Sequence, residues 1–147
     1  MRFDVIALVA GWSLVLLTVP LAISGAIGYI MQDEMSIILW SFVPPILFCA
    51  IVGTLLIRVG TRRDTADRLR DREAFAAVAL SWPLIVAVGA LPYWLGPTFH
   101  GPITWDGDGA TLQELLGGMI RGWFESMSGF TTSGATTIDP YASPRCE

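Results

Sequence analysis

Three apolar runs, at residues 5–30, 35–57 and 74–95, constrain this chain more than anything else in it. At about 1.5 Å per helical residue, each is long enough to cross a hydrocarbon layer ~30 Å thick. Backbone polar groups in a bilayer must be satisfied within the protein, so the runs are expected to be α-helices. The composition agrees, with 53% of the 147 residues apolar and 15% charged. That balance belongs to a membrane protein. The first run is longer than the apolar core of a secretory signal, about 7 to 15 residues, and Arg2 offset by Asp4 makes a weak charged leader. A retained helix is expected rather than a cleaved peptide. Pro20 is expected to kink the first helix, and Pro44-Pro45 to bend the second.

The connections orient the spans. Gln32-Asp33-Glu34 is short and acidic, so the first two helices form a hairpin. Six of the nine arginines, in a chain without lysine, lie between Arg58 and Glu73. Short loops rich in arginine stay in the cytoplasm, which places the N-terminus inside and the 32–34 turn outside. Interspersed acids and flanking spans argue against a nucleic-acid patch in this basic run. Trp40 and the Pro92-Tyr93-Trp94 cluster read as interfacial anchors. The loop after the third span carries Asp106 and Asp108, which are either solvated or concentrate cations near an opening.

Thr111-Leu112-Gln113-Glu114 has the pattern of a capping box and starts a further helix, expected over 111–128. Its apolar positions include Leu112, Leu115, Leu116, Met119, Ile120 and Trp123, and Arg121 and Glu125 stand one turn apart, spaced to pair. The run that follows is rich in glycine and hydroxyls, Ser128-Gly129-Phe130-Thr131-Thr132-Ser133-Gly134-Ala135-Thr136-Thr137. It has too little apolar surface for a core strand. Irregular backbone at membrane depth is tolerated where it is buried in protein or lines a watery cavity, so a re-entrant pore loop is expected. Gly134 permits a backbone turn that points successive carbonyls to one side, replacing part of a cation's hydration shell. Hydroxyl and carbonyl oxygens suit alkali cations. The negative end of the preceding helix favours the same charge.

Other chemistry finds little support. Cys49 reads as a small buried hydrophobe, and Cys146 belongs to no metal-ligand spacing. His100 is the single histidine and reads as a surface residue. No nucleophile-and-base or metal constellation lies in the apolar runs, so no enzyme, no cofactor and no resident metal is expected.

The run from Trp123 through Thr136 resembles the first pore-loop signature of the Trk/Ktr/HKT superfamily of potassium transporters, most nearly its TrkH-like membrane subunits. The family pattern S-G-F-T-T-T-G-A-T is matched except at Ser133, a position whose carbonyl would do the coordinating. The resemblance implies an all-α integral membrane fold in the cell membrane. It comprises three transmembrane helices with a re-entrant pore half-helix and a selectivity-filter loop. The divisions are then a helix pair (1–57), a cytoplasmic arginine-rich loop (58–73), the outer helix of a first pore repeat (74–96) and an extracellular loop (97–110). A pore helix (111–128), a filter loop (129–138) and a polar tail (139–147) complete them. The resemblance also implies that Thr131, Thr132, Ser133, Gly134 and Ala135 form part of a potassium path. Potassium is then the transported ligand, in a homodimer served by a cytosolic TrkA-like nucleotide-binding subunit. One loop is roughly a quarter of such a filter. The remaining pore repeats, on a longer or second chain, are expected to complete it. The alternative is a truncated, non-transporting membrane scaffold or assembly partner.

Overall fold

Long apolar stretches with no charge to interrupt them become three long helices. In the computed structural model, which describes residues 3–61, 71–103, 105 and 110–138, these are α1 (Phe3–Ile30), α2 (Met35–Gly60) and α3 (Asp71–Leu95). A fourth helix, α4 (Leu112–Phe130), follows. There is no strand among the described residues. α1, α2 and Ala74–Leu95 of α3 are long and apolar enough to span a bilayer. α4 carries Gln113, Glu114, Arg121 and Glu125 and does not qualify.

Pro20 lies inside α1 and Pro44 and Pro45 inside α2, and none of them ends its helix. α2 runs to Gly60, three residues past the sequence-based boundary, and α3 begins at Asp71 rather than 74. The arginine-rich connection is shorter by those turns, and its residues 62–70 lie outside the described residues. Arg58, in the last turn of α2, sits where a cation complements the helix dipole.

α1 and α2 meet backbone to backbone. A Cβ placed on Gly11 would lie 2.8 Å from the Gly53 carbonyl oxygen, and one on Gly60 would lie 2.7 Å from that of Asp4. In lipid, where apolar side chains gain nothing by leaving their surroundings, such small-residue contacts drive helix pairing. The three spans share a core of Leu14, Leu17 and Leu21 from α1, Cys49 from α2 and Val88 from α3. Cys49 is a free, fully buried thiol, in keeping with its reading as a small hydrophobe. Outward from this core, Trp12, Leu16, Ile23, Leu47, Ile51, Leu55 and Val78 are exposed. So much exposed apolar surface suits a lipid environment and not water. This is a helical membrane protein.

Candidate functional site

The site is built at the far end of α4, and it begins with how that helix is held. Thr111 caps it as expected: the Thr111 N–H and hydroxyl each donate to a Glu114 carboxylate oxygen at 2.8 Å, and the Glu114 N–H returns to the Thr111 hydroxyl at 3.4 Å. The Thr111 backbone N–H, then its hydroxyl, hold the Glu114 carboxyl below the usual glutamate range. A depressed carboxyl contributes stability above its unfolded pKa and loses it as pH falls through the folded value. Acidification through that window is therefore expected to lower the protection factors of the amides in the first turn of α4, taken relative to the intrinsic exchange rate at each pH. An E114Q variant should show the lower, acid-like protection throughout.

α4 runs antiparallel to α3 and packs on it alone among the helices. The Trp94 indole N–H donates to the Leu115 carbonyl at 3.1 Å, the Ser126 hydroxyl donates to the Val86 carbonyl at 2.7 Å, and the Phe130 ring meets Trp82 edge-on at 6.5 Å. These three levels place the last residue of α4 beside the middle of α3. Small residues one turn apart and all buried line this flank: Gly122 and Ser126 lie against α3, and Gly118 against the His100 backbone in the loop beyond it. A Cβ on Gly122 would lie 3.2 Å from the Ala90 carbonyl oxygen. Sequence reasoning picked out the large apolar residues of α4, yet Leu112, Leu116, Met119, Ile120 and Trp123 are exposed. The repeat of small residues every four positions was the signal for the seam.

Beyond Phe130 the chain reverses. The Thr131 N–H donates to the Met127 carbonyl, that of Thr132 to Gly129 and that of Ser133 to Ser128. Thr132 stands at φ +55° and Gly134 at φ +69°. Glycine adopts this left-handed region freely, whereas in threonine it stores strain of about 1–3 kcal/mol. The returning segment then lies along the last turns of α4. The Ser128 hydroxyl donates to the Ala135 carbonyl at 2.5 Å and lies 3.1 Å from the Ser133 hydroxyl. Further along, the Thr136 hydroxyl and the backbone and side chain of Thr137 bond to Glu125.

All five residues named from the sequence, Thr131, Thr132, Ser133, Gly134 and Ala135, are thus gathered in one exposed turn. Among the described residues, the carbonyls of Thr132, Ser133 and Gly134 accept no hydrogen bond, whereas that of Ala135 is occupied by Ser128. The pairing of Arg121 with Glu125 does not form, because the carboxylate is engaged by the returning segment. His100 is exposed, as expected of a surface residue. Asp106, Asp108 and Cys146 lie outside the described residues. No cluster of potential metal ligands occurs among the described residues. Between α4 and the α1–α2 pair is a cavity of about 570 Å³, lined by Leu21, Ser24, Phe42, Gly89, Glu125 and Phe130 among others.

No family model and no solved structure matches the chain. Among curated proteins, it is 28% identical to the Trk system potassium uptake protein TrkH of Escherichia coli K12 over 138 residues, covering 94% of this chain and 24% of that protein. TrkH of Salmonella typhimurium LT2 matches with the same identity and coverage. TrkG of Escherichia coli K12 is 30% identical over 83 residues, covering 56% of this chain and 14% of that protein. A span of 138 residues in a chain of 147 must include the turn that carries Thr132 and Gly134. The chain therefore spans about a quarter of the length of the TrkH relatives, and along almost its whole extent it is similar to Trk potassium uptake proteins.

Proposed function

We propose that this chain is the N-terminal portion, through the first pore loop, of a TrkH-like potassium uptake subunit. The observation that carries the reading is the chain reversal beside the middle of α3, with the carbonyls of Thr132, Ser133 and Gly134 unengaged among the described residues. On this reading α4 is a re-entrant pore helix that enters from the outer face and ends at mid-membrane. The N-terminus and the arginine-rich connection are cytoplasmic, as the positive-inside rule requires. Residues 131–135 then form roughly one quarter of an oxygen-lined potassium filter. The negative end of α4 adds a favourable field for a cation.

A quarter of a ring replaces only part of a hydration shell, so three more pore loops are needed to close the path. Homodimerisation and a cytosolic TrkA-like nucleotide-binding partner belong to the same proposal and rest on the similarity to TrkH. The test is potassium uptake in a transport-deficient host that expresses either this chain alone or the chain joined to its adjoining downstream reading frame. Rescue is expected with the joined frame and not with the chain alone. Failure of both, together with binding of this chain to a separately encoded transporter, would instead make it a non-transporting scaffold.

A further inference from the structure

Glu125 is an ionisable residue on the helix that leads to the turn, and the spacing of the sequence pairs it with Arg121. Its carboxylate instead faces the returning segment. The Thr136 hydroxyl donates to its two oxygens at 3.0 and 3.1 Å, the Thr137 hydroxyl donates at 2.9 Å and the Thr137 N–H at 2.5 Å. Ser128 holds the segment one turn further on, through Ser133 and Ala135. Residues 133–138 belong to no helix, so these two side chains fix the course of the chain after Gly134.

Resting on the reading of 131–135 as an ion path, we infer that Glu125 is the positioning residue of that path. It acts through Thr136 and Thr137 and does not touch the cation. An ionised carboxylate only accepts, which matches a set of partners that all donate. Hydrogen bonds to a charged acceptor are roughly twice as strong as neutral ones. A carboxylate kept at membrane depth is costly unless it is employed, and here its employment is to hold the turn. Gln keeps the length and one acceptor oxygen but presents an NH₂ group to a donor. Ala removes the hold altogether.

The test has two arms, on E125A and E125Q. In the first, this chain is placed in lipid nanodiscs and amide hydrogen exchange is followed at residues 134–138. E125A should speed exchange about tenfold or more, E125Q less, with α1 and α2 unchanged. In the second, potassium uptake by the chain joined to its downstream frame is measured against sodium competition. E125A should lose discrimination about tenfold, with E125Q intermediate. Unchanged exchange at 134–138 in E125A overturns the inference, and so does faster exchange with undiminished discrimination. If the unaltered joined protein transports nothing while E125A still loosens the turn, the transport reading falls and the hold of Glu125 on the segment stands.

Discussion

Replacing Gly134 with valine is expected to abolish selective potassium uptake by the chain joined to its downstream frame. The effect is conformational and not steric. No atom lies within 4 Å of where a Cβ at Gly134 would stand, so there is room for a side chain. The backbone, however, is at φ +69°, and a β-branched residue held there costs about 1–3 kcal/mol. The turn is already strained at Thr132, two residues earlier. Relaxing toward ordinary backbone angles would redirect the Ser133 and Gly134 carbonyls. Asparagine tolerates left-handed geometry better than other residues, so G134N should keep part of the uptake that G134V loses. Equal uptake by wild type and G134V, measured with sodium as competitor, would remove this glycine from the ion path. By the same geometry S133T should act mildly, because the Ser133 hydroxyl is turned to Ser128 and Thr131.

The second large effect is expected at Gly53, where α2 crosses α1. A Cβ there would lie 2.9 Å from a Val15 methyl and 3.0 Å from the Gly11 carbonyl oxygen. The Val15 side chain can turn aside, but the Gly11 backbone cannot without moving the helix. G53L is expected to destabilise the hairpin by about 1–3 kcal/mol, the usual range for overpacking, or to separate the two helices. Denaturation in micelles followed by helix-to-helix cross-linking would read this directly. Gly117 supplies the control, since no atom lies within 4 Å of its added Cβ. There G117A should be neutral or should stabilise α4 by roughly 0.5–1 kcal/mol, because alanine is the better helix former. Equal losses at Gly53 and Gly117 would mean that backbone contact between α1 and α2 does not hold the pair.

The parts of this fold written in local composition could be read before any coordinates. The three spans follow from apolar length, and the start of α4 follows from Thr111 and Glu114 three residues apart. Interactions set by what lies across a gap were harder to read. Spacing along the helix favours Arg121 for Glu125, and nothing local tells that Thr136 and Thr137 return to within reach. The strain at Thr132 was hidden for a related reason. A glycine was available at Gly134 to take the left-handed position, and only the bonds from Thr132 and Ser133 back to α4 reveal that two such positions are needed. The packing face of α4 could not be read from its large apolar residues, which point away from α3. In lipid it is Gly118, Gly122 and Ser126 that allow close approach, while the bulky side chains face outward.

The cavity beside α4 has a mechanical consequence. α4 is fastened along one flank only, to α3, while its other flank faces the cavity. Its fastened flank is the seam with α3, which holds the tip as well through Phe130 on Trp82, and that tip carries the turn. Any displacement of the last turn of α4 would be carried into the carbonyls of Thr132 to Gly134, since Ser128 and Glu125 tie the turn to that same tip. The oxygens would then travel as a unit with their helix, keeping their spacing to one another while changing their distance from whatever stands opposite.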